Sequence, residues 1–151
     1  MLDIRILTVD DADFAICLKI REEVFITEQA IPPDQEFDEY DETSLHFLAF
    51  LGSEPIATAR VILKDLGLTA KIGRVAVRKQ YRGGGVGREL LTRIAARADL
   101  ANATRFVLDA QIQALKFYET LGYVAEGPEF LDGGIPHRRM TKTRDATRHQ
   151  T

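Results

Sequence analysis

The chain of 151 residues fits one domain of ordinary size with its own core. Its 45% apolar and 28% charged residues are the balance of a globular domain, and a net charge of −3 gives no general pull toward nucleic acid or an anionic membrane. Cys17 is the only cysteine, which excludes an intrachain disulfide and a cysteine-based zinc site.

Met1 to Arg5 has no basic segment leading into a long apolar run, so no signal peptide is read. No stretch reaches the ~20 apolar residues of a membrane span. The expectation is a cytoplasmic protein. Ile4 to Leu7 reads as a short strand. Thr8, with Asp11 three residues on, is a helix-start signal. Phe14, Cys17, Leu18, Arg21, Val24 and Phe25 then keep helical spacing, which predicts a helix from about Asp10 to about Phe25. Within that pattern Cys17 reads as a small core residue. Pro32-Pro33 is expected to stop regular structure.

Six acids follow closely: Asp34, Glu36, Asp38, Glu39, Asp41 and Glu42. They are interleaved with Phe37 and Tyr40, so this loop is expected to pack down. Leu45–Leu51, Ile56–Leu63 and Thr69–Arg78 read as an antiparallel meander, with turns at residues 52–55 and 65–67. After Gly87, residues Leu90, Leu91, Ile94, Ala95 and Ala98 recur with a helical period, and Asn102 is a stop signal. Arg105–Asp109 reads as a buried strand. Ala110–Leu121 reads as a helix closed by Gly122 in a left-handed conformation. Tyr123–Phe130 and Pro136–Lys142 read as closing strands. Residues 143–151 read as a flexible polar tail behind a single domain of residues 1–142.

The order of elements is that of a mixed α/β (α+β) domain. Its most informative segment is Arg82-Gly83-Gly84-Gly85-Val86-Gly87, between a strand and a helix. Four glycines in five positions let the backbone turn sharply and approach a ligand. The unpaired N–H groups and dipole of the following helix make an anion site, and Arg82 and Arg88 flank it. Two phosphate motifs fail on spacing. No Gly-Lys-Ser/Thr occurs, and G-x-G-x-x-G is broken by Leu90 counted from Gly85, or by Arg88 counted from Gly83. A phosphate cradle and a plain glycine-rich turn both remain open here, as does a phosphate-binding protein of another fold.

The same residues resemble a known family. Arg82 to Gly87 match the R-x-x-G-x-G motif of the GCN5-related N-acetyltransferases (GNAT). Ile72-Gly73-Arg74-Val75-Ala76-Val77 resembles that family's central strand. Phe117-Tyr118-Glu119-Thr120-Leu121-Gly122-Tyr123 resembles its second signature. Residues 21–25, Glu28-Gln29, 36–41, His46, 108–111 and 129–137 are similar to the ElaA/YjcF-like branch. The resemblance implies the GNAT fold, a mostly antiparallel mixed sheet of about seven strands with helices on both faces.

The resemblance also implies transfer of an acetyl group from acetyl-CoA to an amine, a small molecule or a peptide. The N–H groups of Arg82, Gly83, Gly84, Gly85, Val86 and Gly87, with Arg88, would hold the pyrophosphate of coenzyme A. The main chain of Val75, Ala76 and Val77 would pair with the pantetheine arm, with an N–H near Val77 at the thioester oxygen. Tyr118 stands where the family places a tyrosine near the sulfur. Phe117 counts as cofactor-side, and so does Gln111, which occupies a position where many members carry asparagine. A homodimer is implied by the resemblance alone. Read without the resemblance, Tyr118 is a half-buried aromatic sealing a helix.

An amine must lose a proton before it attacks. Glu28, Glu36, Asp38, Asp41 and His46 are the candidate bases on an acceptor side that an acidic loop would make attractive to a cation. For any one of them a solvated or structural group is the commoner outcome, and Arg21 reads as an acceptor-side group or as the partner of one of the carboxylates. His137, after Gly133-Gly134-Ile135-Pro136, reads as lining the acceptor pocket. Arg138, Arg139, Lys142, Arg144 and Arg148 read as a solvated strand and tail and not a nucleic-acid patch. His46, His137 and His149 share no metal-ligand spacing, so no metal is expected. A non-catalytic acyl-CoA sensor is the alternative function.

Overall fold

Leu2 and Ile4 are buried and Asp3 and Arg5 exposed along β1 (Leu2–Leu7), the alternation of a half-buried strand. The computed structural model describes residues 2–144, so the stretch 145–151 of the expected tail, with Arg148 and His149, lies outside the described residues. The described residues form two compact units, 2–62 with Gly73–Ala95, and Leu63–Ile72 with 96–144. Among the described residues there are seven strands of one mixed sheet and four α-helices, the fold class expected.

In the first unit β1 pairs antiparallel with β2 (Leu45–Leu51), and β2 with β3 (Glu54–Lys64), which neighbours β4 (Thr69–Val77). Phe47, Leu48 and Ala49 have no exposed surface, so β2 reads as a continuous apolar run because both its faces are covered. The first helix starts later than expected. The Asp11 carboxylate accepts from the Thr8 N–H at 2.8 Å and Asp11 N donates to Thr8 O, closing a separate turn. Helix α1 then covers Phe14–Arg21 and continues as a π-helical segment, Glu22–Glu28. The two prolines do not end regular structure. Pro33 opens the short α2 (Pro33–Glu36) at the first helical position, where its missing N–H costs nothing. The core joins Leu7, Cys17, Ile20, Val24, Phe25, Leu48, Phe50 and Ala76. Cys17 is fully buried as expected, and burial pushes its thiol pKa up.

In the second unit Thr69–Lys71 of β4 pair in parallel with Arg105–Val107 of β5 (Arg105–Gln111). β5 pairs antiparallel with β7 (Ile135–Thr143), and β7 with β6 (Val124–Asp132). Ala110 and Gln111 are not helical. They keep their ladder positions opposite Arg138 and His137, so tertiary pairing overrides a helix-favouring alanine. Helix α4 therefore shrinks to Leu115–Glu119 after a 3₁₀ turn, Ile112–Ala114. Gly122 follows with φ +95°, the left-handed stop expected. Strand pairing reaches Thr143 opposite Arg105, and Arg144 donates to the carbonyls of Leu100 and Ala103.

The acidic loop of the first unit packs down, as Phe37 and Tyr40 suggested, around a buried arginine. Arg21 is 1% exposed. Its Nε donates to Glu36 at 2.6 Å, one terminal N–H to Asp41 at 2.8 Å, and the other to the Glu36 carbonyl at 2.9 Å. Arg60 bridges Asp38 and Asp41 at 2.7 and 3.1 Å. Arg74 reaches Asp38 at 3.0 Å and Glu36 at 3.1 Å. Three arginines thus face three carboxylates. Burial pushes the Asp41 carboxyl up, but Arg21 and Arg60 together outweigh it and leave its pKa below the ordinary range. For the deeper Glu36, burial wins over Arg74 and Arg21, and its pKa is raised.

Removing one member of such a set strands buried charge. We expect Arg21→Met to cost about 3–5 kcal/mol. At roughly 2–4 °C per kcal/mol for a chain of this size, the thermal midpoint falls by about 10 °C. Calorimetry or a dye-based melt checks this; an unchanged midpoint would mean that the network does not hold the loop.

Candidate active site

The loop after β4 begins with a 3₁₀ turn, Lys79–Tyr81, and ends where α3 (Val86–Ala95) starts. Leu90, Leu91 and Ile94 bury one face of α3, which sets the direction of its N-terminus. Gly85 O accepts from Glu89 N at 3.0 Å, so Gly85 caps the helix and the next N–H groups have no partner within it. Gly83 and Gly85 hold φ of +86° and +83°, which side-chain-bearing residues rarely adopt. A Cβ built at Gly83, Gly84 or Gly85 would meet nothing within 4 Å. Glycine is therefore needed there for conformation, and the space in front of the loop is open. Converging N–H groups, a helix dipole and open space fit a diphosphate.

Ala76 of β4 is buried in the core, while Val75 and Val77 are half-buried. Just before them Arg74 holds φ +51°, a left-handed residue inside a strand. The Val77 carbonyl accepts from Arg82 Nε at 2.9 Å. The other two N–H arms of Arg82 fork onto Glu28 at 2.9 and 2.7 Å. That hydrogen bond is the main reason the Glu28 pKa lies below its ordinary value. Glu28, expected as an acceptor-side base, is thus an acceptor of hydrogen bonds from the donor loop.

In the second unit Tyr118 sits half-buried on α4, edge-on to Phe117 at 5.1 Å and to Tyr123 at 5.9 Å. Burial pushes its pKa up to about 12. Among the described residues no group hydrogen-bonds its hydroxyl. Gln111 ends β5, its amide oxygen accepting from the side chain of Gln113, and stands opposite His137 of β7. His137 is 8% exposed and stacks on Phe130 at 6.0 Å. Its Nδ1 lies 2.6 Å from Ile135 O. A carbonyl only accepts, so Nδ1 carries a proton, and it is Nε2 that has the lone pair in the neutral ring.

The remaining acceptor-side candidates come together, but as the buried network. Arg21 pairs with carboxylates, one of the two roles its sequence context allowed. Glu36, Asp38 and Asp41 bind arginines. His46 is 1% exposed, with Nε2 donating to Asp41 O at 2.8 Å, and burial lowers its pKa. A line of acids in sequence does not reveal whether arginines from distant strands will meet it. Arg60, inside the apolar run of β3, is the one sign in the sequence of a charge buried there, and Arg74 carries no such sign. Among the described residues no cluster of His, Cys, Asp and Glu is arranged to hold a metal ion, and no helix is long and apolar enough to cross a membrane.

Comparison with known proteins gives the family. The family model described as an acetyltransferase (GNAT) domain matches residues 12–144. The uncharacterized N-acetyltransferase YjcF of Bacillus subtilis is 40% identical, over 82% of this chain and 87% of that protein. An acyl-CoA N-acyltransferase from Pseudomonas aeruginosa superposes with a TM-score of 0.80 at 30% identity, over 95% of this chain and 100% of that one. Escherichia coli ElaA superposes with a TM-score of 0.79 at 27% identity, over 94% and 99%. The glycine loop at the start of α3, the fold and these likenesses together place the chain in the GNAT family of acetyltransferases.

Proposed function

We propose that the chain through Arg144, two residues past the expected end of the domain at 142, forms one acetyl-CoA-dependent N-acetyltransferase domain that acts on an amine, a small molecule or a peptide, in the cytoplasm, without a nucleic-acid or membrane partner, and as a homodimer. The observation that carries the donor half is the open loop with Gly83 and Gly85 left-handed at the N-terminus of α3. Acetyl-CoA supplies the activated thioester. The N–H groups of residues 83–87, with Arg88, hold its pyrophosphate, whereas the Arg82 N–H, expected to join them, is taken by Lys79 O at 3.3 Å. The main chain of Val75 to Val77 pairs with its pantetheine arm, and an N–H near Val77 faces the carbonyl oxygen as charge develops there. Gln111 and Phe117 complete the cofactor side, Phe117 bracing the Tyr118 ring by its edge contact.

Tyr118 stays a neutral phenol at any working pH, because burial has pushed it up to about 12. Giving its proton to a thiolate whose acid has an ordinary pKa of ~8.5 is uphill, so Tyr118 serves the leaving sulfur as a hydrogen-bond donor. His137 is the base that its fixed tautomer favours. Nε2 takes the proton of the attacking amine while Ile135 O holds Nδ1–H.

Acetyl-CoA at 100 times its dissociation constant should stabilise the protein by about 2.7 kcal/mol, a rise of several degrees in the melting midpoint. Gly85→Glu should fold and lose that rise, since it combines a disfavoured φ with a carboxylate at an anion site. No rise in the wild type would count against the donor site.

Tyr118→Phe should lower kcat by about 10²-fold, the scale for loss of one transition-state donor. The factor should be the same from about pH 6 to about pH 9, because the phenol does not ionise there. His137→Gln should lower kcat by about 10²- to 10⁴-fold with acetyl-CoA affinity unchanged. Steady-state kinetics with an amine panel checks both. A wild type that binds acetyl-CoA yet turns over no amine would favour the sensor reading.

A further inference from the structure

The π-helical segment Glu22–Glu28 carries two carboxylates, Glu23 and Glu28, each held by an arginine near the end of β4. Arg78 Nε donates to Glu23 at 3.0 Å, and Arg82 forks onto Glu28. In an α-helix, residues five apart point about 140° away from each other. The i→i+5 winding of a π-helix instead stacks them one turn apart. The widened turn therefore presents both carboxylates to one flank, where Arg78 and Arg82 stand four residues apart.

Arg82 does more than neutralise Glu28. Its third N–H is taken by the Val77 carbonyl, so all three nitrogens of one guanidinium are fixed. The groups they fix are the last residue of the donor strand and the helix that leads into the acidic loop. Arg82 is also the first residue of the glycine loop. Both side chains are partly exposed, 41% for Arg82 and 29% for Glu28, and exposed ion pairs contribute little to folding. A carboxylate close to a diphosphate site also works against the ligand's charge. Stability and simple electrostatics therefore leave the pair unexplained.

We propose that Glu28 and Arg82 are positioning residues of the donor site: their clasp ties the π-helical segment to the end of β4 and holds the N–H groups of the glycine loop in their phosphate-binding arrangement. This rests on the donor function proposed above. It also makes a choice about sign. If Glu28 were only an anion near a diphosphate, neutralising it would tighten cofactor binding. If it positions the loop, neutralising it weakens binding.

The test compares the wild type with E28Q, R82Q, the double variant and E28D. It measures acetyl-CoA dissociation constants by titration calorimetry, KM and kcat with one amine, and melting midpoints. We expect E28Q to weaken acetyl-CoA binding by about three- to tenfold, in the lower part of the range of coupling between contacting side chains. Its kcat at saturation should stay within about twofold and its midpoint within about a degree, as for an exposed pair. The double variant should be no worse than R82Q alone, and E28D should recover part of the affinity. Unchanged or tighter binding in E28Q, additive losses in the double variant, or a fall in kcat with KM unchanged would each overturn the proposal. A wild type that binds no acetyl-CoA would instead sink the donor reading itself, and this inference with it.

Discussion

Arg21 is a charged side chain with 1% of its surface exposed, and the arrangement of the first unit follows from how that charge is compensated. A lone buried guanidinium is too costly to keep, so its donors must all be met. Glu36 and Asp41 meet them, which pulls the acidic stretch inward against α1. Those two carboxylates then need more cations than one arginine supplies. Arg60 from β3 and Arg74 from β4 complete the set. One consequence is that the loop of residues 33–43 is clipped to two strands. Another is that Arg74 keeps a left-handed backbone inside β4, held by the main-chain carbonyls of Gln35 and Glu36 as well as by Asp38. The buried Nε of Arg60 is the atom among the described residues that this set leaves without a hydrogen-bond partner.

The donor loop works by a different rule. In the function proposed above, its hold on a phosphate-bearing ligand does not rest on the Arg82 side chain, whose guanidinium is committed to Glu28 and Val77. It comes from main-chain N–H groups that two left-handed glycines expose. Such a site gains little from flexibility, and its contacts must be held from outside the loop. The packed face of α3 supplies that support on one side, and the clasp proposed above would supply it on the other. Tyr118 follows a similar logic. Burial keeps its hydroxyl neutral, which suits a group that donates a hydrogen bond and does not titrate.

Much of the fold was readable from residue order. The apolar runs of β2 and β4, the start of α3 and the left-handed glycine after α4 fall where the pattern places them, whereas β3 starts two residues early, at Glu54, and α3 ends at Ala95, well before the stop expected at Asn102. The errors have physical causes. The Thr8–Asp11 pair closes a turn as well as it caps a helix, so the start of α1 was placed too early. Pro33 is a stop signal in the middle of a helix and a start signal at its first position. Ala110 and Gln111 carry helix-friendly side chains but answer to a ladder with β7. The donor site was legible because it is local, a run of glycines whose backbone demands are written in consecutive positions. The acidic loop was legible as a packed loop but not as an ion network, because its arginines come from residues 21, 60 and 74.

Sequence by itself determined what short-range rules govern. It set the elements with strong periodicity, the glycine loop at a helix start, the single buried cysteine and the likeness to the GNAT acetyltransferases. Tertiary structure alone decided which carboxylates are buried and paired, that Glu28 belongs with Arg82, that a π-helical turn aligns Glu23 with Glu28, and which nitrogen of His137 keeps its lone pair. The reason is that a side chain's charge state and availability depend on burial and on partners distant in the chain, and a linear pattern carries neither.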